Sequence, residues 1–276
     1  MASHAAAEQP PTNRLDGTHL PPDAETWNAE AVLAWGLRQF PGRIALASSF
    51  QAEDVVVIDL LARVASRTKL PFRVFSLDTG RLNQETYDVM DQIRTRYGIT
   101  IEIVFPQREA VEEMVRANGL NLFYQSVENR VLCCNVRKVE PLNRALRELD
   151  AWITGVRREQ VKTRATTAKI ELDPAHGGII KLNPLADWTQ EQVWDYVRSQ
   201  NLPYNSLYDR GYTSIGCEPC TRPIKLGEDP RAGRWWWELG IKECGLHYSH
   251  DQGLHYTQAN PSERQENPGS HAGAKP

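Results

Sequence analysis

An α/β fold, a parallel-rich sheet flanked by helices, is predicted by three observations. Short buried-strand patterns recur, an amphipathic stretch follows each, and their spacing is that of strand-helix-strand crossovers. Ala29–Leu37 places apolar groups at helical intervals and stops at Pro41-Gly42, a helix-ending pair. Ile44–Phe50 reads as a buried strand, and Glu53 and Asp54 supply acids to the first turn of a helix over Val55–Ala62. Phe72–Leu77 repeats the strand, Asp78-Thr79-Gly80-Arg81 the loop, and Gln84–Tyr97 the helix, ended by Gly98. Thr100–Phe105 and Arg108–Asn118 form the third pair. Strands joined in this way take right-handed crossovers. Arg137–Leu149 reads as a helix in which Pro141 must sit near the start or make a kink. Ala151–Val156 is another buried strand, and Lys169–Leu182 alternates as an edge hairpin around His176-Gly177-Gly178. Thr189–Asn201 is the last clear helix, with Thr189 as its cap and Glu191 close behind.

Beyond Pro203 the periodicity fades. Tyr204–His247 is dominated by Cys, Pro, Gly, Arg and Trp, a composition for loops held by something other than helical packing. The expected organisation is a flexible tail over 1–26, an α/β domain over 27–203, a loop-rich segment of the same domain over 204–247 and a disordered tail over 248–276. Both tails offer too little apolar area to offset the entropy of ordering them. The amino-terminal stretch lacks the basic start and apolar run of a secretory signal and the arginines of a transit peptide, so a cytoplasmic address is expected.

Length and charge narrow the function. With 276 residues, 41% of them hydrophobic, the chain can bury a full core without disulfides. A net charge of -3 excludes the global positive field that gathers nucleic acid or anionic membrane. Mean hydropathy of -0.52, with no apolar run approaching about 18 residues, excludes a membrane-spanning helix. Any basic site must therefore be local.

Ligands of open α/β sheets bind beyond the carboxyl ends of the strands. Ser48–Asp54 occupies that position after the first strand and Leu77–Arg81 after the second. A Ser-rich loop opening a helix can direct N–H groups and the helix dipole at an anion. No Gly-Lys-Ser follows, so this is not a Walker loop, and the Ser-Gly-Gly-x-Asp form of the ATP-pyrophosphatases is absent as well. Cys133-Cys134 and Cys217-Glu218-Pro219-Cys220 are the strongest local signal. Two adjacent cysteines have difficulty reaching one small tetrahedral zinc ion, whereas a cubane presents separate irons to separate thiolates. The pattern therefore favours a [4Fe-4S] site on Cys133, Cys134, Cys217 and Cys220 over zinc. Cys244 remains, with Gly245 beside it, His247 three residues on, and Arg231 and Arg234 shortly before. Nearby positive charge and exposure raise the thiolate fraction, which marks Cys244 as a candidate mobile nucleophile. Lys138, Arg157, Arg158, Arg164, Arg222, Arg231 and Arg234 could form a phosphate- or sulfate-binding pocket, since guanidinium forks bind such oxyanions bidentately. Trp235-Trp236-Trp237 reads as core packing beside the loops, and His250, His255 and His271 as unconstrained surface residues.

Five segments together carry a specific resemblance: Ser49–Asp54, Leu77–Arg81, Thr154–Gln160, Gly216–Pro223 and Glu243–His247. Over about Trp27 to His247 the chain resembles the assimilatory adenylyl-sulfate (APS) reductases, relatives of the phosphoadenylyl-sulfate (PAPS) reductases. The resemblance implies an adenine nucleotide alpha hydrolase-like fold. It implies a nucleotide held by Ser48, Ser49, Phe50, Glu53, Asp54, Leu77, Asp78, Thr79, Gly80, Gly155, Arg157 and Arg164. Lys138, Arg231, Arg234 and His247 would surround the phosphosulfate. Cys244 would attack its sulfur, expel AMP and carry an S-sulfonate, and thioredoxin would release sulfite. The double cysteine pair points to APS as substrate, with PAPS or dual use as the alternative. Relatives of this kind are commonly dimers or tetramers, so a homo-oligomer is a further expectation. One departure is Gln51, where many relatives carry Gly, making the loop backbone less adaptable. Two rivals from other classes are a tRNA-thiolating enzyme, which would carry a Gly-rich pyrophosphate loop and a basic RNA surface, and a zinc-stabilised binding module.

Overall fold

Val55-Val56-Val57-Ile58 are β-branched residues that lower helix propensity, yet they lie inside a helix because every one of them is buried. This helix, α2 (Ala52–Thr68), packs between α1 (Ala29–Gln39) and α7 (Gln190–Ser199), and its burial outweighs the local preference. The structure, a computed structural model, describes residues 20–238. Its strands are β1 (Ile44–Ala47), β2 (Arg73–Leu77), β3 (Ile101–Val104), β4 (Ala151–Ile153), β5 (Ile170–Asp173) and β6 (Ile179–Leu182). They form one sheet in the order β3-β2-β1-β4-β6-β5, parallel throughout except for β5, which pairs antiparallel with β6 at the edge. The helices α3 (Gln84–Tyr97) and α4 (Arg108–Asn118) follow β2 and β3 as the sequence predicts.

Alternation along the strands builds two cores. Ile44 and Leu46 of β1, Val74 of β2 and Ala151 and Ile153 of β4 face the cluster made with α1, α2, α3 and α7. Ala45, Phe75 and Trp152 face the opposite cluster, with Leu142 and Leu146 of α6 (Glu140–Leu146). A third cluster lies outside the sheet, where Met114, Leu122, Phe123 and Trp235 pack around the cysteines.

Strand numbering runs one way from β1 to β3 and the other way through β4 and β6. The order therefore reverses between β1 and β4, and the loops leaving their carboxyl ends bound a crevice of the kind that binds ligands. Gly155 lets those loops approach: a Cβ there would collide with the Asp54 side chain and press on its backbone amide.

Two expectations are corrected. The helix expected over Arg137–Leu149 begins earlier, as α5 (Val127–Cys134), capped by the Ser126 hydroxyl. It passes through a π-helical turn at Asn135–Val139 and continues as α6. Pro141 lies in the first turn of α6 and cannot donate to either Val136 or Arg137, which accounts for the wider turn immediately before it. Thr189 caps α7 as expected, and the residue that reciprocates the cap is Gln192 in place of the adjacent Glu191. No helix among the described residues is long and apolar enough to cross a membrane.

Candidate active site

At the switch point between β1 and β4 lies a cavity of about 240 Å³. Its walls are the loop after β1, the residues after β4, the end of β2 and two parts of the segment beyond Pro203. Ser48, Ser49, Glu53, Asp54, Leu77, Thr79, Gly155, Arg157, Arg164, Lys138, Arg231 and Arg234 all line it, so the structure gathers most of the expected binding residues from distant segments.

Three expected residues support the cavity from outside its lining. The Phe50 ring is fully buried in the core while its backbone carries φ 57°, a left-handed conformation held by its N–H donating to Ser48 Oγ at 3.1 Å. Asp78 accepts from the Gly80 amide at 2.8 Å and from the Tyr87 hydroxyl at 3.0 Å. It shapes the turn after β2, and the positive φ of Gly80 completes it. Arg158 and Arg222 are spent elsewhere, on Glu25 and Glu228. Cys244 and His247 lie outside the described residues.

Several polar side chains of the wall bond to one another. Arg157, 4% exposed, donates from Nε and Nη2 to Glu53 Oε1 at 3.0 and 2.9 Å, and from Nη1 to Glu159 at 3.0 Å. Gln160 donates to the same Glu53 oxygen at 3.0 Å and accepts from Arg164 at 2.6 Å. Ser49 donates from both N and Oγ to Asp54, at 2.6 and 2.7 Å. Burial pushes the Asp54 carboxyl up to about 6, against those two donations and with the help of the Glu53 charge. Sequence reasoning missed Tyr208, which accepts from the Ala52 amide at the start of α2, and whose phenol is pushed up by burial and the Glu53 charge. Nothing in its surrounding sequence marks it.

Behind this cavity is a second, smaller one lined by Cys133, Cys134, Cys217 and Cys220 together with Arg130, Arg137 and Trp235. Lys138 and Arg234 line both, forming a shared wall. Arg137 donates to the Thr79 carbonyl at 2.6 Å, and the Thr79 hydroxyl meets Cys217 Sγ at 3.3 Å. Burial opposes ionisation of Cys217, yet the Lys138 and Arg234 charges and the Thr79 hydroxyl hold its thiol below the ordinary range. Burial and the charges of Cys217 and Cys134 push Cys220 up to about 12, and burial raises Cys133. The buried side chains of Arg130 and Glu238 pair through two hydrogen bonds of 2.9 and 3.0 Å.

The donor set fits the four-iron group that the resemblance implies. Four thiols line one cavity, cations surround it, and the Nε atoms of Trp235 and Arg234 are buried on its wall with no acceptor. Thiolate or sulfide sulfur would supply that acceptor. Among the described residues no group of three or more His, Cys, Asp or Glu is arranged to hold a metal ion.

A mostly parallel sheet with a crevice at its switch point, lined by cations and a Ser-rich loop, defines an adenine nucleotide alpha hydrolase-like protein. Residues 43–223 match the model of the phosphoadenosine phosphosulfate reductase domain, and the chain belongs to that family. It is 54% identical over 206 residues to the adenosine 5'-phosphosulfate reductase of Burkholderia cepacia, covering 74% of this chain and 80% of that one. It is 49% identical over 205 residues to the corresponding reductase of Allochromatium vinosum, covering 74% and 78%. Among solved structures it is similar to the phosphoadenylyl-sulfate reductase of Candida auris, with a TM-score of 0.63 and 29% identity over 74% of this chain and 97% of that one.

Proposed function

We propose that this chain reduces adenosine 5'-phosphosulfate to sulfite and AMP in the assimilation of sulfate, with thioredoxin as the electron donor. The observation that carries the proposal is the shared wall: Lys138 and Arg234 stand between the switch-point cavity and the four cysteines. Relatives named adenosine 5'-phosphosulfate reductase at about half identity support the substrate.

In this reading the adenosine end lies along the loops after β1 and β4, and the phosphosulfate faces Lys138, Arg231 and Arg234. The Cys244 thiolate attacks sulfur, forming the S–S bond of an S-sulfonate while the S–O bond to AMP breaks. Cations around the phosphate stabilise the departing AMP. A thioredoxin thiolate then attacks Cys244, sulfite leaves with the electron pair, and the second thioredoxin thiol resolves the mixed disulfide. Thioredoxin ends oxidised and Cys244 returns as a thiol. Cys133, Cys134, Cys217 and Cys220 would hold a [4Fe-4S] cluster, whose contribution when bound is electrostatic order at the shared wall. His247 would stand beside the phosphosulfate.

The test is sulfite release from APS and from PAPS by anaerobically purified protein with reduced thioredoxin, with Cys244→Ser alongside. APS turnover is expected to exceed PAPS turnover, and Cys244→Ser to abolish both. Activity surviving that substitution removes Cys244 from the mechanism. Iron analysis with absorbance near 400 nm, the approximate region of cluster charge transfer, separates the cluster from zinc. Lys138→Ala should lower turnover far more than iron content, and equal losses would defeat the electrostatic role.

A further inference from the structure

Gln51 occupies the N-cap position of α2 but makes no capping bond with its side chain. Its backbone is extended, φ -75° and ψ 169°, so no glycine is required there, and the left-handed position of the loop is Phe50. The side chain instead spans the mouth between two loops. Gln51 Oε1 accepts from the Ile215 amide at 2.8 Å, and Gln51 Nε2 donates to Ser49 Oγ at 3.1 Å. Ser49 Oγ donates onward to Asp54. On the far side, Ile215 is two residues from Cys217, and the intervening Gly216 carbonyl is held by Asn83 Nδ2 at 3.1 Å.

Ser49, Gln51, Asp54, Ile215 and Gly216 all line the switch-point cavity. A ligand lying against this row touches both loops, and the Gln51 side chain bridges Ser49 and Ile215. We infer that Gln51 is a positioning residue that couples occupancy of the nucleotide cavity to order in the Cys217 loop. The inference deepens the function proposed above and rests on it. Coupling of this kind is reciprocal: a nucleotide that orders the bridge stabilises the loop, and a loop already fixed by the bridge favours the nucleotide.

Hydrogen exchange of the purified holoprotein, with and without AMP, reads the Ile215 amide through peptides covering 214–218. In the unsubstituted chain AMP is expected to slow exchange there. In Gln51→Ala basal exchange should quicken about fivefold, the AMP effect should vanish, and AMP should bind about fivefold more weakly, the scale of one lost hydrogen bond. KM for APS should rise by the same factor while kcat stays within about twofold. Gln51→Glu keeps the acceptor for Ile215 and loses the donor to Ser49, so it should retain basal protection while weakening AMP. Gln51→Ala exchanging as slowly as the unsubstituted chain, or Gln51→Glu exchanging as fast as Gln51→Ala, overturns the coupling alone. A fall in kcat together with iron content assigns Gln51 a structural role and overturns it too. An unsubstituted chain that neither binds AMP nor releases sulfite from APS defeats the function itself.

Discussion

The two cavities are built by opposite means. The switch-point cavity stands on strand ends and is finished by polar side chains that satisfy one another, with Arg157, Glu53, Gln160 and Arg164 in one hydrogen-bonded run. The cysteine cavity stands on a helix with a π turn and on loops, and it is closed by Phe123, Trp235 and Met114. One is a regular fold presenting a crevice, and the other is a small pocket that sets one buried and three half-buried cysteines among aromatic and cationic side chains, with buried N–H groups that lack acceptors. Each keeps a buried donor atom without an acceptor, Arg164 Nε at the first and Trp235 Nε1 at the second, with Arg234 Nε on the wall they share, and only the second sets thiols beside such a donor, as a sulfur-rich group would require.

This difference predicts separable failures. The largest is at the cysteines: Cys217→Ser removes one of four thiols, and iron content and absorbance near 400 nm should fall by about tenfold, as binding is a concerted four-ligand event. AMP affinity should change far less, since the strand-end loops are untouched. Loss of AMP binding in step with iron would show that the two cavities fold as one unit and break the comparison.

Arg157→Met should do the reverse. It strands the Glu53 carboxylate, 15% exposed, beside only Gln160. Breaking a buried pair from one side costs about 3–5 kcal/mol, which for a domain of this size lowers Tm by about 6–20 °C. Thermal unfolding followed by circular dichroism checks this, and iron content measured well below Tm should stay near that of the unsubstituted protein.

Legibility in the sequence follows the same division. The sheet and its loops are read from local patterns, because β1, β2 and β3 each announce themselves by apolar runs and their helices by period and, for α3, the terminating Gly98. The hairpin of β5 and β6 is equally local. The π turn is not, because Pro141 signals a helix start in its vicinity whether or not a helix already enters from upstream. Nor are Arg157–Glu53 and Arg130–Glu238 visible, since each joins residues more than a hundred positions apart. The motif residues of the site were legible by type, while Tyr208 and the bridging role of Gln51 depend on loops meeting in space.

The smallest expected effect lies at Asp54, in the wall of the switch-point cavity. Its carboxyl titrates near 6 in the fold and near 3.8 when unfolded, because burial penalises the charge more than Ser49 relieves it. The folded state therefore binds the extra proton between those values, and stability from this group falls as pH rises through the window from about 4 to about 6. Above it the ionised carboxylate costs on the order of 3 kcal/mol relative to acid. Asp54→Asn removes the titration. Denaturant unfolding at pH 4.5 and pH 7 should give a difference between Asp54→Asn and the unsubstituted protein that shifts toward the variant at the higher pH. A difference independent of pH would mean that the Ser49 donors fully offset burial, and the two walls would then differ only in their ligands.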